Sequence, residues 1–309
     1  MRHLYAYLCP MTTAPPASRI APTPSGYLHL GNALSFILTW LLVRKQGGVL
    51  HLRIDDLDAA RRREAYIEDI FRTLDWLSLD YDEGPSGPDD FYHNHSQQHR
   101  IPSYEALLNQ AREQGALFAC TCSRKKIQLA AADGQYPGTC RDRSLPFDAP
   151  ETAWRIRTPE NAQATWHDAI LGPQRISLHA AMRDFVVRRK DGIPAYQIAS
   201  LSDDLAMGVN CIVRGADLLD ATAAQLFLAH LLDCPAFAHM QWFHHPLLLD
   251  AQGQKLSKSQ DAPALHALRA QEPSPQRVFQ AAAQWLGLAP ARNLPDLLAQ
   301  FEGIPAHFR

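Results

Sequence analysis

Two segments carry residue types suited to handling a nucleotide. The first, Arg19-Ile-Ala-Pro-Thr-Pro-Ser-Gly-Tyr-Leu-His29-Leu-Gly31-Asn32, is a proline-stiffened loop that delivers a histidine and a glycine to the start of an apolar stretch of helical density. Free N–H groups and the positive end of a helix dipole favour a phosphate at such a place. His29 can donate to a phosphate oxygen, and Gly31 has no Cβ to keep an adenine ring off the backbone. A helix-capping turn with an incidental surface histidine accounts for the same segment. The second, Lys255-Leu-Ser-Lys258-Ser259, follows Leu247-Leu248-Leu249-Asp250 and the turn Ala-Gln-Gly-Gln. Lysines so spaced on a glycine-flanked loop can clamp a triphosphate and neutralise charge as pyrophosphate leaves. Taken alone, a solvated Lys/Ser loop is the commoner meaning of that pattern.

A third segment, Cys120-Thr-Cys122 followed by Tyr136 and Cys140, sits in a stretch rich in glycine and proline. Three thiolates can occupy three corners of a tetrahedral zinc site, and free buried cysteines are the plain alternative.

The elements that must position these groups follow from the hydrophobic pattern. Ser18 to Ala21 reads as a short strand, residues 22–26 as a turn, and Asn32 to Arg44 as a buried helix. Gln46-Gly47-Gly48 stops that helix, and Val-Leu-His-Leu-Arg-Ile alternates into a second strand ending at Asp55, which suggests a right-handed βαβ unit. A doubly wound α/β nucleotide fold is the natural expectation. Residues 61–78 form an amphipathic helix with Ile67, Ile70, Phe71, Leu74 and Leu77 on one face, and 101–114 form another. The chain changes character from Ala119 to about Pro150, the mark of an inserted subdomain. The α/β pattern resumes with the strand Phe185-Val-Val-Arg-Arg and another at Cys211 to Arg214, and helical periodicity runs over 264–287.

Composition bounds the reading. The chain has 309 residues, 46% hydrophobic and 20% charged, a globular balance with room for about two domains. Lys+Arg number 30 against 32 Asp+Glu, a net charge of −2, so any nucleic-acid partner must be held by local patches. Arg61-Arg62-Arg63, Arg124-Lys125-Lys126, Arg141 with Arg143, and Arg188-Arg189-Lys190 are the candidates, with the triplet beside the cysteines foremost. The longest apolar run, Ala33 to Val43, is too short to span a bilayer, which takes roughly 20 residues. Residues 1–17 read as a loose leader without a cleavage pattern, and Met11 offers an alternative start. Six cysteines are too sparse for a disulfide framework, so a cytoplasmic location is expected. Cys9, Cys211 and Cys234 have no metal spacing, and the remaining histidines, including His244-His245, read as structural or surface.

In this order and about 225 residues apart, the two nucleotide segments resemble the HIGH and KMSKS signatures of class I aminoacyl-tRNA synthetases. The wording RxAPxPSGxLHLGN, the run Leu52-Arg-Ile-Asp-Asp-Leu-Asp58, and Tyr196 followed by Arg214-Gly-Ala-Asp-Leu-Leu look specifically like the glutamyl branch. The resemblance covers roughly residues 18–260. It implies a Rossmann-type parallel sheet that activates an amino acid with ATP and Mg2+, with an inserted zinc-containing, acceptor-binding-like subdomain and a short helical C-terminal region. The expected divisions are 18–100 and 186–260 for the two halves of the catalytic core, 101–185 for the insertion, and 261–309 for the helical end.

The resemblance implies that His29, Lys255 and Lys258 are catalytic and that His29, Gly31, Asn32 and Lys258 hold ATP. It puts the glutamate pocket on Arg19, Ala21, Thr23, Asp55, Tyr196 and Arg214. The chemistry is coherent: two carboxylates call for two fixed guanidiniums and an ammonium for one acid. Glutamyl enzymes usually carry Glu where this chain has Asp55 and Ser where it has Thr23. The glutaminyl branch has Asp there, but the Arg-Ile-Ala-Pro-Thr-Pro-Ser-Gly loop favours glutamate. The spacing CxC-x13-Y-x3-C resembles the branch's zinc variant in which Tyr136 joins Cys120, Cys122 and Cys140, with Asp133 as a substitute.

Complete glutamyl enzymes continue into helical domains that read the anticodon, and this chain stops about 50 residues past Ser259. That resembles a free-standing paralogue family, which attaches glutamate, activated without tRNA, to the cyclopentenediol of queuosine at the wobble position of tRNA(Asp). The anticodon stem-loop is then the expected partner of a monomer, with no membrane partner. Charging of an ordinary tRNA 3′ end, a catalytically degenerate RNA-binding module, and a pantothenate-synthetase-like nucleotidylyltransferase are the alternatives. The last is disfavoured because Asn32 stands where its turn ends in His.

Overall fold

The computed structural model describes residues 5–6, 14–131, 133–247 and 264–308. Lys255 and Lys258 lie outside the described residues. Strand Ala17–Ile20 pairs in parallel with Val49–Leu52, placing Arg19 opposite His51. The Asn210 N–H donates to the Ala17 carbonyl (2.9 Å) and its side-chain oxygen accepts from the Ala17 N–H (2.8 Å). These bonds set the pair beside strand Cys211–Gly215. That strand runs parallel to Gln241–His245, with Arg214 opposite His244. Strand Gln163–Asp168 continues the parallel sheet through Trp242 and Asp168, and Gly172–Ser177 folds back antiparallel on it. The C-terminal strand ends therefore bring Arg19, Asp55, Asp168, Arg214 and His244 to one edge, where open α/β sheets bind ligands.

Helix Leu30–Lys45 buries Ala33, Leu34 and every residue from Phe36 to Val43. It is apolar all round because the sheet covers one side and helices Gln276–Leu286 and Leu294–Gln300 cover another. Val278, Phe279, Leu297 and Phe301 join this same core. The periodicity over 264–287 resolves into two helices, Leu265–Gln271 and Gln276–Leu286. Pro273 and Pro275 cannot donate a helical hydrogen bond. Gly287 closes the second helix at φ 66°, a left-handed cap that favours glycine.

Leu117–Cys120, Ala153–Ile156 and Val186–Arg188 form a separate antiparallel sheet. Two strands thus depart from expectation. Val186–Arg188, read as core resuming, pairs with Ala153–Ile156, whereas Gln163–Asp168, within the expected insertion, joins the core sheet. A short apolar run cannot reveal which sheet it enters, because that is decided by partners remote in sequence. The expected leader also contributes: Tyr5–Ala6 pairs in parallel with Ala164 and Thr165. No helix among the described residues is long and apolar enough to cross a membrane.

Candidate active site and cysteine cluster

At the strand ends a cavity of about 390 Å³ is lined by Arg19, Ala21, Thr23, His29, Gly31, Asn32, Asp55, Tyr196 and Arg214. All the sequence-derived site residues that the structure describes, outside the cysteine segment, meet there. His29 caps helix Leu30–Lys45, and the Asn32 side chain turns back to accept from the His29 N–H (3.0 Å). That oxygen of Asn32 is engaged in the cap. The described ends of the segment carrying Lys255 and Lys258 also meet this region. Leu247 lines the cavity, and Ala264 bridges to His29, with the Leu265 N–H donating to the Leu28 carbonyl (2.7 Å).

Beneath the cavity runs a buried charge network whose pairing the motifs do not show. Arg53 donates to both oxygens of Asp55 (2.6 and 3.2 Å) and to Asp204 (2.7 Å), which also accepts from Arg19 Nε (2.8 Å). Arg100 and Tyr104 satisfy the neighbouring Asp203 (2.7 and 2.8 Å). Burial works against the Arg53 charge, but Asp55, Asp204 and Asp203 hold its pKa well above the ordinary value. Asp204, also penalised by burial, is brought below its ordinary value by Arg19 and Arg53. Asp55 goes the other way, raised by burial that Arg53 only partly offsets. Asp203 and Asp204 lie inside the apolar stretch of helix Tyr196–Ala206; paired carboxylates amid buried residues were the available signal.

Arg214 differs from Arg19. Its described partners are neutral: Thr222 and Gln225 take Nη2, His244 takes Nε (3.3 Å), and the Tyr196 hydroxyl takes Nη1 (3.4 Å). Among the described residues no carboxylate lies within 4.0 Å of it. Burial, with the like charge of Arg19, lowers its pKa from the ordinary value. A buried cation without an ion pair is costly unless an anion arrives. His244 and His245 are not surface residues: His244 lies behind Arg214, while His245 lines the cavity and meets Ser35 Oγ at 3.0 Å.

A second, larger groove of about 1100 Å³ shares Thr23, Asp55 and Tyr196 with the first. Cys122, Ser123, Arg124, Arg155 and Lys190 of the antiparallel unit form its far wall, and Arg61 stands on the core side. The other basic candidates are partly spent: Arg62 pairs with Asp56 (2.7 Å), Arg141 with Asp184, and Arg189 with Asp58 and Asp191 (2.9 and 2.6 Å).

Beside this groove the thiols of Cys120, Cys122 and Cys140 lie within 4.8 Å of one another, with Cys122 and Cys140 sulfurs 3.6 Å apart. A tetrahedral zinc with bonds of about 2.3 Å spaces its sulfurs by nearly that distance, so the donor set fits. Burial and the adjacent thiols push Cys122 up to about 12; sulfurs this close ionise together only beside a cation. Tyr136 belongs to the same cluster, its hydroxyl oxygen accepting from the Cys140 N–H (2.6 Å), with the Arg155 guanidinium 4.0 Å over its ring. Asp133, the substitute ligand, is instead ion-paired with Arg183 (2.9 Å). Cys211 is a buried thiol pushed up to about 12 by that burial.

The family profile described as tRNA synthetases class I (E and Q), catalytic domain, matches residues 17–293. A curated relative from Symbiobacterium thermophilum, named Glutamyl-Q tRNA(Asp) synthetase, is 40% identical over 305 residues, covering 93% of this chain and 90% of the relative. One of the same name from Nitratidesulfovibrio vulgaris is 40% identical over 268 residues, covering 81% and 80%. Among solved structures, the glutamate-tRNA synthetase of Elizabethkingia anophelis has the same fold, with a TM-score of 0.76 at 22% identity. It matches 94% of this chain, which spans 66% of that longer protein. With a profile match over most of its length and relatives at 40% identity, the chain belongs to the class I tRNA synthetases of the E and Q type, a family of ligases.

Proposed function

We propose that the protein activates glutamate with ATP and Mg2+, without tRNA, and transfers it to queuosine at the wobble position of tRNA(Asp). The observation that carries the glutamate reading is the cavity that joins Arg19, Asp55, Tyr196 and Arg214 to a helix N-terminus. Arg214, without a described acid partner, suits one substrate carboxylate. Arg19, whose described bond uses Nε alone, offers its terminal nitrogens to the other. Asp55 takes the ammonium, and Tyr196 orients Arg214. His29 and the N–H groups at Gly31 suit ATP phosphates, and Lys255 and Lys258 act on the departing pyrophosphate.

The acceptor reading draws on the relatives named Glutamyl-Q tRNA(Asp) synthetase and on the adjoining groove. A nucleoside there would stand next to Asp55 and Tyr196, with Arg61, Arg124 and Lys190 for RNA phosphates. Cys120, Cys122, Cys140 and Tyr136 would hold one structural zinc that stiffens the groove wall; burial and the neighbouring thiols push the Tyr136 hydroxyl up from its ordinary value, so a phenolate there would depend on the cation.

The test is ATP-dependent charging with radiolabelled glutamate of tRNA from cells with and without queuosine. The expected label appears only with queuosine, is lost in mild alkali as an ester, and leaves the 3′ ribose open to periodate. Label on queuosine-free tRNA, or a protected 3′ ribose, would reject this acceptor in favour of ordinary charging.

A further inference from the structure

We propose that His244, held by Asp168, is a positioning residue that sets the Arg214 guanidinium for a substrate carboxylate while leaving its charge intact. This rests on the reading of Arg214 as a carboxylate holder.

The two residues face each other across neighbouring parallel strands, and Arg214 Nε lies 3.3 Å from His244 Nε2. Of the other two Arg214 nitrogens, Nη2 reaches Thr222 and Gln225 and Nη1 reaches Tyr196 with one N–H to spare, so His244 takes the one nitrogen no other described side chain takes. Behind it, His244 Nδ1 lies 2.5 Å from Asp168 Oδ2, with both side chains fully buried. Asp168 also accepts the N–H groups of Ile170 (2.9 Å), Leu171 (3.0 Å) and His244 itself (3.3 Å). Three N–H donors favour the ionised carboxylate, which can only accept. The ring proton therefore sits on Nδ1, and the Nε2 lone pair of the neutral ring faces Arg214 and the Thr222 hydroxyl (2.7 Å), whose one proton turns to it in preference to the longer contact with the Leu218 carbonyl (3.0 Å).

The choice of a neutral imidazole has a consequence for charge. An aspartate at this place would hold the guanidinium as firmly but would cancel the charge meant for substrate. A cationic imidazole would turn an N–H toward it and repel it. The rings of Trp166 and Trp242 flank His244, with centroids 6.3 and 6.2 Å away, and fix the ring in a dry setting.

Two variants separate the ring's contacts. His244→Asn keeps an amide near the Nδ1 position for Asp168 but cannot reach Arg214. His244→Gln can carry an amide oxygen to the Nε2 position. In pyrophosphate exchange, His244→Asn should raise the glutamate KM about tenfold, as for a lost hydrogen bond to a charged group. The ATP KM should stay unchanged and kcat should move less than KM. His244→Gln should recover most of the glutamate KM. Equal defects in the two variants, or a glutamate KM within about twofold of the parent in His244→Asn, would overturn the proposal. A check independent of variant folding is the 15N spectrum of histidine-labelled wild-type protein, where His244 should carry its proton on Nδ1; an Nε2–H tautomer would overturn the proposal as well. Arg214→Ala identifies which idea failed. If it leaves the glutamate KM unchanged, the carboxylate reading falls and takes this inference with it. If it raises KM while His244→Asn does not, the inference alone falls.

Discussion

The cavity at the sheet edge and the cysteine cluster of the antiparallel unit are both clusters of polar groups under cover, yet they are held in opposite ways. In the cavity each structural charge already has its counter-charge: Arg53 sits between Asp55 and Asp204, and Arg19 on Asp204. The frame stands on one of the largest apolar cores of the molecule. The cysteine cluster has like groups facing one another, and its own core is small: Phe118, Cys120, Ile127, Tyr136 and Cys140, two of them the thiols themselves. On the function proposed above, one site lacks only its substrate, and the other calls for a cation. The difference predicts which perturbation breaks each.

The largest expected effect comes from Arg53→Met. It strands Asp55 as a buried carboxylate and leaves Asp204 to Arg19 alone, and breaking a buried pair from one side costs about 3–5 kcal/mol. Thermal unfolding should shift the whole protein, and glutamate-dependent exchange should vanish. A variant of near-parental melting temperature would mean that water reaches the network and that the frame is not closed.

Next is the metal. Protein purified without added metal should hold one zinc per chain by elemental analysis, and a Cys120→Ser/Cys122→Ser double variant should lose it. Chelation should open the 121–150 segment to protease while the sheet-edge core keeps its melting transition, because only the cysteine unit depends on the cation. Full zinc in the double variant would remove the cluster from consideration as a metal site.

A smaller effect belongs to Asp55→Asn, which keeps the shape and removes one charge. The glutamate KM should rise by roughly tenfold to a hundredfold, the range for a lost charged hydrogen bond, with the ATP KM nearly unchanged. Asp55→Glu, the residue usual in glutamyl enzymes, should bind glutamate at least as well as the parent if the pocket is otherwise glutamyl-like.

The two regions were also unequally legible in the sequence. Arg19, Thr23, His29, Asp55, Tyr196 and Arg214 stand in contiguous wording, and the cysteines announce themselves by spacing. Asp203, Asp204 and His244 do not, and Arg53, though inside the Leu52–Asp58 run, carries no sign of its role. Arg53 lies two residues from Asp55 and reads as one more charge in a strand end, while its second partner Asp204 is 151 positions away. His244 reads as half of a histidine pair until Asp168, 76 positions away, is brought to it by the parallel sheet. The same limit misassigned Val186–Arg188 and Gln163–Asp168 between the sheets. Motifs name the groups that touch ligands; the groups that hold them are chosen by long-range pairing, which leaves no local pattern.

The smallest expected effect distinguishes two acids that share Arg53. Burial raises the Asp55 carboxyl above its ordinary 3.8, whereas Arg19 and Arg53 bring Asp204 below it. An ionised Asp55 is what a substrate ammonium needs. As pH falls toward the ordinary carboxyl range, Asp55 therefore takes a proton first and the glutamate KM climbs. The stabilisation that Asp204 contributes has the opposite sign: it is fully present above the unfolded-state value and is lost only as pH falls through its lowered folded-state value. Between those limits the protein should remain folded by circular dichroism while glutamate binding, followed by calorimetry, weakens. Asp55→Asn should lose the share of this acid limb that belongs to Asp55, leaving one weak affinity that falls only as the γ-carboxyl of glutamate itself takes a proton, at about 4.3. An acid limb in Asp55→Asn that is unchanged from the parent's, or one that coincides with unfolding in the parent, would remove Asp55 from the titration. That result would erase the distinction between a prebuilt frame and the single acid it presents to substrate.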